Sequence, residues 1–261
     1  MTRRTLLLHV QFDGTDFAGW QMQSVHRTVQ GVLTHAVETM SGHPVTLYGA
    51  SRTDAGVHAK ALPVSFDTDC QIPAFGFSRG LNTLLPDDVA VISVEEAEPG
   101  FRTRLAAVAK TYRYLFQVGE ARRPLQNRQA AWVKRESIDV AAMAEGARRF
   151  LGDHDFAAFR AAHCDSLTTV RRMYSAEVSE LPDTPLVAFE LTGNAFMRHM
   201  VRIMAGTLLE VGRGRFSPDD VTRALESGDR THAGPTGPAH GLTLLKVHFD
   251  GYPRIGGPPP G

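Results

Sequence analysis

Two hydrophobic periodicities take turns along this chain, and their order constrains the fold more than any other feature. In "TLLLHVQFDG", Leu6, Leu8, Val10 and Phe12 recur at every second position, as on one face of a half-buried strand closed by a turn. In "TVQGVLTHAVETMSG", the stripe Val29, Val32, Leu33, Ala36, Val37 and Met40 follows a helical period, with Thr28 placed as N-cap and Gly42 just past the end. "PVTLYGA" and "ALPVSFDT" read as two further strands, "PAFGFSRGLNTLLP" as a short helix ending before Pro86, and "VAVISVEE" as a strand. The order β-α-β-β-α-β is the split βαβ of ferredoxin-like domains.

The second half repeats that order without repeating its residues. "TYRYLFQVG" alternates as a strand, and "SIDVAAMAEGARRFLG" reads as a helix capped by Ser137 and stopped by Gly152. Strands follow at "TTVRRMYSAEVSEL" and "PLVAFELTG", then a long apolar helix at "FMRHMVRIMAGTLLEVG". "SPDDVTRALESG" opens a further helix with a Ser cap, Pro218 and two acids, and "GLTLLKVHF" is the last strand. Residues 119–131 and 228–240 read as loops, and 251–261 as a disordered tail. The expectation is an α+β chain of two ferredoxin-like halves, residues 1–105 and 106–250. They would form one extended antiparallel sheet with helices on one side and a central active-site cleft.

Charge narrows the partners. Lys+Arg and Asp+Glu balance at 28 each, but residues 102–135 hold nine basic residues and one acid, Glu120. That one-sided cluster suggests a polyanion. Cys70 and Cys164 form no CxxC, the opening apolar run stops at Val10 with His9 inside it, and no apolar stretch reaches the roughly 20 residues of a membrane span. A reduced, cytoplasmic location is expected.

The chemistry concentrates in "GASRTDAGVHA", Gly49 to Ala59. A loop aspartate can cap a helix, pair with Arg52 or occupy a solvated turn. Two features favour a site instead. The loop joins two predicted strands, and the i, i+2 spacing puts Arg52 and Asp54 on one side of an extended segment. Asp54 and His58 stand at i, i+4, yet no HxxxH or HExxH supports a metal, and no GxxxxGK[ST] or GxGxxG supports a nucleotide cofactor. The alternation places Tyr112 and Tyr114 on the same face and does not say which lines a cleft. Arg198 and Arg202 fall at i, i+4 on one face of the predicted apolar helix, where a buried Arg needs a carboxylate partner.

"SRTDAGVHA" resembles the signature of the tRNA pseudouridine synthase A family. "QFDGTDFAGWQMQ…TVQGVL", "AKTYRYLF", "GNAFMRHMVRIMAGTLLEVGRG" and "PAHGLTLLKVHF" resemble four further blocks of that family, in its order. The resemblance implies a cofactor-free isomerase acting on uridines 38 to 40 of the tRNA anticodon stem-loop, and a homodimer. It implies Asp54 as nucleophile, Arg202 as active-site Arg and Tyr112 stacked on the uracil; the carboxylate that a buried Arg202 needs is then expected to be Asp54. Arg52 would hold the flipped-out position or bind the adjoining phosphate. The chain departs from the family's usual pattern at Ser51, where Gly is common, and at Gly234-Pro235, where Ala-Pro is frequent.

Overall fold

The alternation at residues 4–12 becomes β1 (Arg4–Phe12), with Leu6, Leu8 and Val10 fully buried. Thr5 and Leu7 on the other face are buried as well, so the start of this strand is covered on both sides. The computed structural model describes residues 3–134, 137–162, 164 and 166–252. Residues 253–261 of the expected tail lie outside that set.

The chain is α+β and divides into two units. The first comprises Met1–Ala107 and Leu244–Asp250. After β1 come α1 (Val29–Ser41), β2 (Tyr48–Gly49), β3 (His58–Thr68), α2 (Ala74–Leu84), β4 (Val89–Ala97) and the single turn α3 (Thr103–Ala106). Strands lie in the order β4-β1-β3, antiparallel throughout, with β2 also on β3. The helix signals act as expected: Thr28 accepts a hydrogen bond from the Gly31 amide, and Gly42 takes φ 74° at the C-cap. Helix α2 buries Phe77 and Leu81, and Phe77 meets Phe66 of β3 edge-on with ring centroids 5.9 Å apart. Each such side chain stabilises the unit by about 1.5–3 kcal/mol. The strand expected at "PVTLYGA" shortens to Tyr48–Gly49.

Asp67 closes this unit with a two-pronged ion pair to Arg102, at 2.7 and 3.2 Å. The hydrogen bond from Arg102 holds its carboxyl below the usual carboxylate range, against the cost of burial. A depressed acid contributes stability above its unfolded pKa, about 3.9, that is lost as pH falls through the folded value. Asp67→Asn is therefore expected to flatten the loss of urea stability on acidification below about pH 5, while lowering stability at neutral pH.

The second unit comprises Val108–Thr243 and Gly251–Gly261. Its elements are β5 (Ala109–Val118), β6 (Ala131–Val133), α4 (Val140–Arg148), β7 (Gly152–Asp155), β8 (Val170–Glu180), β9 (Leu186–Gly193), α5 (Met200–Gly212) and α6 (Pro218–Ser227). Strand β10 (Leu242–His248) crosses the division and gives Leu244–His248 to the first unit, beside β3. Strands β5-β9-β8-β7 pair in that order, antiparallel, and β6 adds to β5 in parallel. Thus the expected loop 119–131 contains a short 3-10 turn at Pro124–Gln126 and the start of a strand.

Two boundaries differ from the sequence reading. Asp139, not Ser137, caps α4: its side chain accepts from Ala142, and its amide donates to the Gly212 carbonyl at the end of α5. That helix ends at Arg148, and Gly152, at φ 95°, opens β7 instead of serving as the stop. Ser217 and Asp220 form a full capping box on α6, with Pro218 at its first position.

Candidate active site

Asp54 lies in an irregular segment, Ser51–Val57, that leads into β3. The backbone alternates sides: Ser51 and Thr53 are buried, Arg52 is exposed and Asp54 is half-buried. A chain of glycines explains how the loop is seated. It rests on the turn "DGTDFAGW", where Trp20 donates its amide to Thr53 O at 3.1 Å and Gly56 donates to Phe17 O at 3.3 Å. Gly19, at φ 91°, lies so close that a Cβ would sit 2.6 Å from Thr53 O, and a Cβ on Gly14 would sit 2.0 Å from Val57 O. Trp20 in turn packs closely against Gly49, where a Cβ would meet the indole at 2.7 Å. The Asp54 carbonyl accepts from Val57 at 3.2 Å, closing the turn. The hydroxyl of Thr53 is buried without a hydrogen-bond partner among the described residues, an uncompensated donor beside Asp54. The carboxylate and the guanidinium thus stand on a backbone anchored from behind.

In the second unit, β5 carries Tyr112 and Tyr114. Tyr114 is fully buried, donates its hydroxyl to Pro238 O at 2.9 Å, and is packed by the backbones of Gly237 and Gly241. Burial pushes its phenol pKa well up, against the opposing charge of Arg202. Its surroundings make it a core residue. Tyr112, 6% exposed, meets Phe196 edge-on at 5.0 Å.

Arg202 sits on the first turn of α5, half-buried, and its Nε donates to Gly237 O at 2.9 Å while the Gly237 amide donates to Arg202 O at 2.9 Å. This reciprocal pair ties the 234–238 segment to the helix. The same segment makes the Gly234 departure intelligible, since a Cβ there would lie 2.6 Å from Thr207 Cα. Arg198 does not share the helix face expected for it. The helix begins at Met200, after His199 at φ 60°, and Arg198 lies exposed in the preceding turn. Asp54 and Arg52 belong to the first unit, Tyr112 and Arg202 to the second.

The basic segment is partly neutralised. Arg102 pairs with Asp67 and lies over the Tyr48 ring, and Arg113 bonds Glu190 at 2.6 Å. Arg104, Arg122, Arg123, Arg128 and Lys134 remain exposed, whereas Arg135 lies outside the described residues. His163 and Asp165, which flank Cys164 in the sequence, lie outside the described residues. Among the described residues no cluster of three or more His, Cys, Asp or Glu could hold a metal, and no helix is long and apolar enough to cross a membrane.

The supporting residues around Tyr112 and Arg202 escaped the sequence reading. Gly206 gave the one usable signal, because a glycine inside an apolar helix costs about 1 kcal/mol and implies close packing. Asn194 and Phe196 gave none.

The tRNA pseudouridine synthase family matches residues 8–103 and 147–250, and the chain belongs to it. It is an isomerase that converts uridine to pseudouridine in tRNA. Its relatives are particular members of that family. It is 46% identical to tRNA pseudouridine synthase A of Geobacter sulfurreducens over 246 residues, 94% of this chain and 100% of that one. It is 45% identical to that of Pelobacter propionicus over the same shares, and 40% identical to that of Exiguobacterium sibiricum over 92% and 94% of the two chains. A solved H/ACA RNP bound to a substrate RNA containing 2′-deoxyuridine aligns with 92% of this chain and 47% of that one, at 11% identity and TM-score 0.39, too loosely to add to this.

Proposed function

We propose that the enzyme isomerises uridines 38, 39 and 40 in the anticodon stem-loop of tRNAs, in the cytoplasm and as a homodimer, with Asp54 as nucleophile and without metal or coenzyme. Arg202 is the ion-pair partner of Asp54, Tyr112 stacks on the uracil, and Arg52 holds the flipped-out position or the adjoining phosphate. The observation that carries this reading is the Asp54 loop itself: its buried residues alternate with Arg52 and Asp54, and Gly14 and Gly19 admit no side chain between it and its support.

The reaction breaks the bond from C1′ to N1, rotates the uracil and joins C5 to C1′. The C5 proton leaves and N1 gains one, so nothing is consumed. A carboxylate that forms a transient covalent bond divides this exchange into two easier steps. Because the uridine starts within a stem-loop, it must first be extruded, at an unstacking cost of a few kcal/mol. An unmodified tRNA transcript is expected to gain pseudouridine only at 38–40, and a transcript with cytidine at those positions is expected to gain none. Product from the substituted transcript would refute the assignment.

The exposed arginines of residues 102–135 grip the RNA backbone outside the catalytic pocket. Three or four phosphate contacts would reduce tRNA affinity roughly 100-fold between 50 and 200 mM salt, through counterion release. A flat filter-binding response to salt would remove that role.

A further inference from the structure

We infer that Phe196 is a positioning residue that sets the ring of Tyr112. The inference rests on the reading that Tyr112 stacks on the uracil. Phe196 belongs to the link Asn194–His199 between β9 and α5, which Arg172 of β8 fixes by two bonds to Asn194. The Asn194 side chain accepts from the Arg172 amide at 2.9 Å, and the Asn194 amide donates to Arg172 O at 3.0 Å. Farther along, the Ala161 amide donates to Arg198 O at 3.2 Å, so the link is held at both ends of Phe196.

Gly193 then lets the ring fold back. A Cβ on Gly193 would lie 3.0 Å from Phe196 Cζ and 2.7 Å from Met173 Sδ, so the ring lies against bare backbone. In the β5–β9 register Gly193 stands opposite Lys110 and Leu191 opposite Tyr112, so Phe196 returns across the end of β9 toward the neighbouring strand. There it meets Tyr112 with centroids 5.0 Å apart and ring planes at 78°. A perpendicular ring pair is favoured by the quadrupoles of both rings and fixes the orientation of each. Tyr114 gets its orientation from Pro238 and two glycines, and the ring of Tyr112 packs edge-on against that of Phe196. A stacking face tilted away from the base would misplace the uracil, and displacements of about 1 Å cost on the order of 100-fold in rate.

The test is a double-mutant cycle on single-turnover pseudouridine formation with full-length tRNA. Phe196→Leu keeps the apolar volume but loses the ring. It is expected to lower the rate about 10- to 100-fold, with tRNA Kd within about threefold and the thermal midpoint nearly unchanged. In a Tyr112→Leu background it should lower the rate no further, because residues acting as one unit are non-additive. A Phe196→Leu rate within about twofold of the parent, or multiplicative losses in the double variant, would overturn the inference. If Phe196→Leu folds poorly, Phe196→Met, flexible and of similar volume, is read by the same criteria. A Tyr112→Leu variant of full activity would instead refute the stacking role, a separate outcome.

Discussion

Replacing Asp54 by Asn is expected to abolish turnover while leaving tRNA bound. Asn has nearly the shape of Asp, so the Val57 turn and the bond from Trp20 to Thr53 O, both made by backbone, persist. What disappears is the negative charge and the oxygen nucleophile. Removal of a covalent nucleophile from an otherwise intact site costs on the order of 10⁴-fold or more. The variant should show that loss in single-turnover pseudouridine formation, with Kd for tRNA within about threefold of the parent. Arg52→Ala should behave differently, raising Kd or KM more than it lowers the chemical rate, since an exposed guanidinium contributes to binding. Equal rates for Asp54→Asn and the parent enzyme would leave the loop a structural device.

The second large effect is on stability, at Gly206 of α5. Helix propensity alone would make Gly206→Ala stabilising by about 1 kcal/mol. Packing reverses the sign. A Cβ there would lie 1.7 Å from Pro235 O and 2.9 Å from the Pro235 carbonyl carbon, so the obstacle is backbone and has no rotamer to change. Overpacking of this kind costs about 1–3 kcal/mol or more, and it outweighs the propensity gain. The segment that must move is the one carrying Gly237, which exchanges two hydrogen bonds with Arg202. With overpacking near the upper end of that range, Gly206→Ala should therefore lower the thermal midpoint by roughly 4–8 °C and also reduce the catalytic rate by displacing Arg202. A variant as stable as the parent would show that the 234–238 segment yields freely.

Which features were legible in the sequence follows from whether their causes are local. Thr28 and Gly42 bound α1 through chemistry contained in a few residues, as do Ser217, Pro218 and Asp220 at α6. Ser137 and Asp139 are equally able caps, and the choice falls to Asp139, whose amide meets the distant Gly212 carbonyl. Likewise β2 is confined to the two residues Tyr48 and Gly49 that pair with Ser65 and Val64, a limit that local periodicity does not carry. The periodicity of β5 put both tyrosines on one face, and only the packing of Tyr114 against Gly237 and Gly241 separates them. Arg198 was read onto the helix because "MRHMVRIM" continues the apolar period; His199 in the left-handed region ends that continuation. The Asp54 loop was visible from its composition, but its seating on Gly14 and Gly19 is a tertiary fact, as is the contact of Phe196 with Tyr112.

The most direct measurement incubates purified enzyme, wild type beside Asp54→Asn, with an unmodified tRNA transcript in buffer containing a chelator and no added coenzyme, and maps pseudouridine along the RNA. Conversion confined to positions 38–40 is expected with the wild-type enzyme, undiminished by the chelator, and none with the variant. Conversion elsewhere, dependence on added metal, or undiminished product from Asp54→Asn would contradict it.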